Sequence, residues 1–395
     1  MMPLGKLLVI DASRILAGPY CGQFFADHGA EVIKIEPPEG DINRAWPMLT
    51  DDGASANYFS VNRGKQSLTL NLRTSAAQEI LHALIRKADV LIHNYLPDTA
   101  EKLGVGQATL DALNENLIQV VIGGYGAKGP LRGKPGFDAM VTGFSGIMSL
   151  TGEPDRPPVR PGISTVDMSS GMMAFGAAMT ALYARATGMA KGQRVDLSLL
   201  ETAMSLLGYH ALNYLMTGKL MRREGANFSG LVPYGRYAAQ DGDLMLATPS
   251  PASWMKLVAL LGIHDMAKDP RFVTNDVRVM NEVAFRVEFE QILSQWTVAE
   301  LTDMLDGAGL ANAPVHTVDQ ALQHQQVLAN DMVVETKSSD GTPRRQLGLP
   351  FKMSATPGEI GPAAPELGEH TAAILRRHLG FDDTQIAALR ASGAI

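Results

Sequence analysis

The stretch Ser67–Ile92 reads SLTLNLRTSAAQEILHALIRKADVLI. Its first six residues, Ser67–Leu72, alternate polar and apolar, the period of a strand with one face buried. Over Ser75–Lys87 the period changes. Ile80, Leu81, Leu84 and Ile85 fall on one stripe of an amphipathic helix. Ala88–Ile92 (ADVLI) then has the short apolar character of a strand buried on both faces. Strand, helix and strand in succession form a βαβ unit, the building block of parallel sheets.

Outward from this stretch the alternation continues. Leu7–Asp11 (LLVID), Val32–Ile35 (VIKI), Leu117–Ile122 (LIQVVI) and Arg194–Leu199 (RVDLSL) read as strands, and Tyr20–His28 and Glu201–Met216 as helices. The pattern predicts an α/β chain with a doubly wound parallel sheet. Gly136–Pro161 breaks it. This stretch is read as less regular and runs into GEPDRPPVRPG (Gly152–Gly162), whose four close prolines exclude a helix there. Near Met221 the character changes again. Tyr237–Ala247 reads as a hairpin turning at Asp241-Gly242. Ser250-Pro251 opens a helix through Leu261, and Thr297–Glu300 is a capping box. Residues 222–330 are read as a small inserted α+β domain, and 1–221 with 331–395 as a large Rossmann-like domain built from both termini. Ser338–Pro343 is a loop or hairpin, and two helices, near 369–379 and 383–391, end the chain.

A chain of 395 residues suits two domains. With 46% hydrophobic and 19% charged residues, its composition is that of an ordinary soluble globular protein. The formal net charge of −7, without a basic patch, argues against nucleic acid as a partner. A small anionic substrate would need local positive charge against this field. The apolar run Leu7–Ile10 is too short for a signal segment, and no stretch reads as a membrane span. A cytoplasmic location, with no membrane partner, is the expectation. Cys21 is the single cysteine, so no intramolecular disulfide can form, and its apolar surroundings mark a buried structural thiol.

The residues suggest four kinds of chemistry. The nine histidines show no HExxH spacing and there is no CxxC, so no metal is expected. Gly124–Gly129 (GYGAKG) matches GxGxxG after a strand. Yet Pro130, Gly133, Pro135 and Gly136 follow, and no helix starts in time to hold a pyrophosphate. A loop bordering a ligand crevice is the better reading. No GxSxG elbow is present. Asp167 opens a helix rich in Gly, Ala and Met. It reads either as a first-turn carboxylate favoured by the helix dipole or as a carboxylate nucleophile kept ionised by that dipole.

Several stretches resemble the class III (CaiB–BaiF, formyl-CoA transferase-like) CoA-transferases. They are Arg14–Tyr20 (RILAGPY), Ala30–Glu36 (AEVIKIE), Asn62–Ser67 (NRGKQS), Asp89–Tyr95 with Lys102-Leu103-Gly104, and Gly136-Phe137-Asp138. Asp167 with Gly171, Gly192–Asp196 (GQRVD), Ala311–Val318 and Pro365–Thr371 (PELGEHT) complete the set, in one order along the chain. The resemblance implies a Rossmann-like large domain, a small inserted domain and an interlocked homodimer. It implies transfer of coenzyme A from an acyl-CoA to a carboxylic acid through Asp167, by way of an aspartyl anhydride and an aspartyl-CoA thioester. Coenzyme A is then a substrate, and no tightly bound cofactor is expected. Succinyl-CoA with a short dicarboxylate is the base-rate substrate pair.

The resemblance also assigns contacts. Ile15, Leu16 and Ala17 offer backbone to the adenine and ribose, and Arg73 and Lys102 meet phosphates. Asn94 and Tyr95, with the Lys102-Leu103-Gly104 segment near, border the nucleotide or pantetheine. Phe137 approaches the thiol arm. Pro37-Pro38 stands where the family often has an arginine for the 3′-phosphate, and Arg44 is the candidate replacement. Ser229-Gly230-Leu231 is the candidate shielding loop. Arg132, Lys134 and Arg160 are candidates for a second carboxylate. The α-methylacyl-CoA racemases share the fold but use a histidine immediately before the aspartate of their GHD segment. Phe137 holds that place here and cannot carry a proton. A non-catalytic acyl-CoA-binding protein is the remaining alternative.

Overall fold

The computed structural model describes residues 2–47, 50, 53–228 and 230–395. Its chain forms two compact units. The larger comprises Met1–Ile147, Arg160–Gly218 and Gln325–Ile395; the smaller comprises Met148–Val159 and Lys219–His324. The sequence placed 148–159 with the large unit and set the boundaries at 221/222 and 330/331. The proline-rich stretch instead falls in the small unit, where Gly225 N–H donates to the Gly152 carbonyl at 3.0 Å.

The large unit opens with β1 (Leu8–Asp11), α1 (Ala17–Asp27), β2 (Glu31–Glu36), β3 (Gln66–Thr69), α2 (Ser75–Ile85), β4 (Val90–His93), α3 (Pro97–Lys102) and β5 (Ile118–Gly123). It continues with α4 (Asp138–Ser145), α5 (Thr165–Ala186), β6 (Gln193–Ser198), α6 (Leu199–Leu206) and α7 (Gly208–Thr217). The six strands form one sheet in the order β3-β2-β1-β4-β5-β6, every neighbouring pair parallel.

Side chains alternate across this sheet, as the two-residue strand period requires. Ile10, Ile33, Leu68 and Leu91 pack on one face against Ile80, Leu81, Leu84 and Ile85 of α2. Val9, Val32, Val90, Ile92, Ile118 and Val120 pack on the other against α1 and α5. Burying each such side chain contributes roughly 1.5–3 kcal/mol. Between α1 and α5 the backbones come close. A Cβ on Gly171 would stand 2.7 Å from the Ala17 carbonyl oxygen.

Two local readings are refined. The less regular stretch Gly136–Pro161 contains α4, ahead of its proline-rich part. Its buried side chains include Asp138, Thr142 and Ser145, so apolar periodicity could not reveal it. It ends at Gly146, at φ +97°. Residues 201–216 are two helices rather than one, because Gly208 sits at φ +49°.

In the small unit, β7 (Tyr234–Ala238) and β8 (Asp243–Ala247) form the hairpin. Helices α8 (Pro251–Leu261), α9 (Glu282–Leu293) and α10 (Val298–Gly307) follow, then β9 (Ala311–Pro314), which pairs antiparallel with β8. Tyr237, Trp254, Phe285 and Phe289 fill its core. The chain then returns to the large unit as the hairpin β10 (Val333–Lys337) and β11 (Pro343–Leu347), α11 (Thr371–Leu379) and α12 (Asp383–Ala391). Ile374, Leu375 and Ile386 join the α2 face of the core, and Asn71 N–H donates to the Ala394 carbonyl at 2.8 Å. Among the described residues no helix is long and apolar enough to cross a membrane.

Candidate active site

The sheet order places a switch point between β1 and β4. After β1 the chain turns toward β2, and after β4 toward β5, so the two strand ends diverge and leave a crevice. A cavity of about 670 Å³ occupies this place. Its walls include the loop after β1 (Arg14–Ala17), the end of β4 (His93–Tyr95), the glycine loop after β5 (Gly123–Ala127), Arg132–Phe137 and Asp167.

The residues of the NRGKQS motif do not reach this crevice; they build its foundation. Lys65 Nζ donates to Asp11 at 2.7 Å, to the Pro19 carbonyl at 2.6 Å and to Asn62 at 2.8 Å. Arg63 holds Asp27 through two bonds, at 2.9 and 2.7 Å, and Ser67 Oγ donates to Glu36 at 2.8 Å. All of these side chains are buried. Burial opposes ionisation of Asp11, but the charges of Lys65 and Lys34 and the hydrogen bonds from Lys65 and Ser13 outweigh it and hold the carboxyl below its ordinary range. Burial also pulls the Lys65 ammonium down to about 8.

The glycine loop lies where the sequence put it. Its glycines serve backbone packing: a Cβ on Gly124 would stand 2.7 Å from Gly136 N, and one on Gly136 would stand 2.8 Å from Gly124 Cα. The next helix after Gly129 is α4, at Asp138. No helix N-terminus opens at this loop, so the dinucleotide geometry is missing.

Asp167 lies in the first turn of α5 and is 8% exposed. The N–H groups that a helix start normally leaves free are spent here. Asp138, at the start of α4, accepts from Val166 N–H at 2.8 Å and Asp167 N–H at 3.1 Å. Thr165 N–H donates to Ile163, and Met168 N–H to Ser164. Among the described contacts no donor reaches the Asp167 carboxyl. Burial, and then the Asp138 carboxylate, push its pKa up to about 7. The expectation that the helix start keeps Asp167 ionised is therefore corrected, because a second carboxylate has taken those donors.

Of the residues the resemblance assigned, Ile15, Leu16, Ala17, Asn94, Tyr95, Phe137 and Asp167 line the one crevice. Asn94 ties the two strand ends together: it accepts from Arg14 N–H at 3.0 Å and donates to the Arg14 carbonyl at 2.9 Å. Phe137 precedes α4 with its ring half exposed. Ile15 has spent its N–H on Asp41. Arg73 and Lys102 are exposed outside the crevice walls, and Leu103 packs on the hydrophobic core. Arg44 is committed to Glu36 through two bonds, at 2.7 and 2.8 Å, and does not line the crevice. Neither does Arg160. Ser229 of the candidate shielding loop lies outside the described residues.

Sequence reading passed over three features of the site. Arg14 lines the crevice, together with Arg132 and Lys134. No carboxylate pairs with these three cations among the described contacts, whereas Arg194, also in the wall, is held by Asp196 at 2.7 Å. His93 stacks on Tyr95 at 5.7 Å. Burial, and then Arg194, push its imidazole down to about 4, so it stays neutral. Asp138, quoted only as part of a motif, is the electrostatic neighbour of Asp167.

A switch-point crevice carrying unpaired cations and one buried, unpaired carboxylate belongs to an α/β enzyme acting on an anionic substrate. Residues 4–371 match the model of CoA-transferase family III, and the chain belongs to that family. It is 36% identical to the succinate–glutarate CoA-transferase of Agrobacterium fabrum, over 94% of this chain and 95% of that protein. It is 33% identical to the human succinyl-CoA:glutarate CoA-transferase, over 100% of this chain and 90% of that protein. The structure of a CaiB/BaiF family protein from Brucella suis superposes with a TM-score of 0.88 at 36% identity, covering 95% of this chain and 99% of that one. The protein is a class III CoA-transferase and uses CoA thioesters as substrates.

Proposed function

We propose that this enzyme moves coenzyme A from succinyl-CoA, or another short dicarboxylic acyl-CoA, to a carboxylic acid, with Asp167 as the covalent nucleophile. One observation carries the reading: Asp167 is buried at the crevice and, among the described residues, no hydrogen-bond donor reaches its carboxyl. A carboxylate that serves structure is paired, whereas one left bare in a crevice has its lone pairs available. The relatives that act on succinate and glutarate support the choice of dicarboxylates.

The chemistry proceeds in balanced steps. An Asp167 oxygen attacks the thioester carbonyl, the C–S bond breaks, and the CoA thiolate leaves behind a mixed anhydride. The thiolate attacks Cγ of Asp167 and expels the donor carboxylate, leaving an aspartyl-CoA thioester. The acceptor carboxylate attacks Cγ, releases the thiolate and forms a second anhydride. The thiolate then takes the acceptor acyl group, and Asp167 is restored. Water must be kept out, because each intermediate hydrolyses. The nucleotide runs along Leu16, Ala17, Asn94 and Tyr95 in this reading, with Arg14, Arg132 and Lys134 as phosphate partners in place of Arg73 and Lys102. Exposed apolar side chains on α5 and α7 (Met172, Met173, Tyr183, Leu212, Leu215 and Met216) support a homodimer.

The test is a panel of acyl-CoA donors and acids, with product CoA esters followed by mass spectrometry. Asp167→Ala should abolish transfer, and hydroxylamine should convert Asp167 of the wild type to its hydroxamate during turnover. Transfer that persists in Asp167→Ala would overturn the nucleophile. α-Proton exchange without CoA transfer would favour the racemase reading, against which Phe137 stands.

A further inference from the structure

Ile15 lies in the crevice wall with φ +73°. A β-branched residue in the left-handed region is a genuine outlier, and such conformations persist only where the surroundings enforce them. Here the surroundings can be named. Both Asp41 carboxylate oxygens accept from Ile15 N–H, at 3.3 and 3.2 Å, and Asn43 Nδ2 donates to the Ile15 carbonyl at 2.7 Å. Asp41 is itself fixed by Lys34 Nζ at 3.1 Å, which also donates to the Ser13 carbonyl at 3.0 Å. Asp41, Asn43 and Lys34 are all buried. The backbone N–H groups from Ala12 to Ile15 are bonded in turn to Ile92, Asp11, Asn94 and Asp41. Leu16 and Ala17 follow at once and enter α1 facing the crevice.

We propose that Asp41 is a positioning residue: it holds Ile15 in the left-handed conformation and so presents Leu16 and Ala17 to the CoA moiety of the substrate. Asp41 does not line the crevice and acts only through Ile15. The plainer role, closing the short helical turn Ile42–Ala45 through Asn43 N–H, uses the same carboxylate and is separable by experiment. The inference rests on the reading that CoA lies in this crevice.

The experiment measures CoA-ester KM, acceptor KM and kcat for Asp41→Ala, for Ile15→Gly and for the double variant. Direct CoA binding by the wild type is the control. A glycine takes the left-handed conformation without a tether. Asp41→Ala should raise the acyl-CoA KM about tenfold, with kcat and acceptor KM within about threefold. Adding Ile15→Gly to Asp41→Ala should restore most of that loss. An unchanged acyl-CoA KM, an equal loss for both substrates, or no rescue by Ile15→Gly would overturn the inference. If Asp41→Ala does not fold, Asn43→Ala removes the second tether while leaving Lys34 its partner, and the same split and rescue are required of it. A wild type that binds no CoA at this crevice would instead overturn the underlying reading.

Discussion

Two buried carboxylates of the large unit invite comparison, Asp11 under α1 and Asp167 at the start of α5. Asp11 is surrounded by Lys65, Lys34 and Ser13 and is held below its ordinary pKa. Among the described residues Asp138 is the charged neighbour that acts on Asp167, and with burial it pushes the carboxyl up to about 7. Burial is nearly the same for both; the partners differ. A carboxylate compensated on every side is scaffold, and one left uncompensated beside a second negative charge costs stability and is available for chemistry.

Removing one partner on each side is the severest way to break this comparison. Lys65→Met takes the ion-pair partner from buried Asp11, leaving it Ser13 and the more distant Lys34, and should cost about 3–5 kcal/mol in urea denaturation. Asp167→Asn should cost nothing and should gain roughly 1–3 kcal/mol at pH 8, because it removes a buried charge. Comparable losses in the two variants would end the distinction. Next in size is the backbone crossing beneath the site. Gly124→Ala puts a methyl 2.7 Å from Gly136 N and should cost about 1–3 kcal/mol, with a matching loss of transfer activity.

The smallest effect is the sharpest. If Asp167 is the nucleophile, as proposed, it must be ionised, so kcat/KM for the acyl-CoA should fall about tenfold per unit below pH 7. Asp138→Asn removes the neighbouring charge and should move this limb to lower pH; an unmoved limb would remove Asp138 from the account. Stability runs the opposite way for the two acids. The Asp167 penalty is full above pH about 7 and is relieved progressively as pH falls from there to the ordinary carboxyl value of 3.8. The contribution of Asp11 is full above the ordinary carboxyl value of 3.8 and is lost as pH falls through its depressed value.

The strands were legible because parallel β-strands buried on both faces write continuous apolar runs, as in Val90–Ile92 and Val120–Ile122. Asp167 was legible as a first-turn carboxylate. Its environment was not, because Asp138 lies 29 positions earlier on a helix whose buried face is largely polar. The tether on Ile15 was hidden for a related reason: nothing in the identity of an isoleucine announces a positive φ, and Asp41 is 26 positions away. Arg73 and Lys102 were assigned by position in a motif, yet the fold turns them outward and brings Arg14, Arg132 and Lys134 to the crevice. Periodicity reports which residues are buried; which charges meet is decided by the turns between elements.

The position of Asp138 has one more consequence. Its negative charge repels Asp167 only while Asp167 is an anion, and that repulsion ends when the oxygen takes up either a proton or an acyl group. On the proposed mechanism, proton and acyl group are therefore rivals for one atom. The repulsion from Asp138 is carried by the ionised, empty enzyme and is absent from each acylated form. The charge that makes the empty site costly is then the charge that the first step removes.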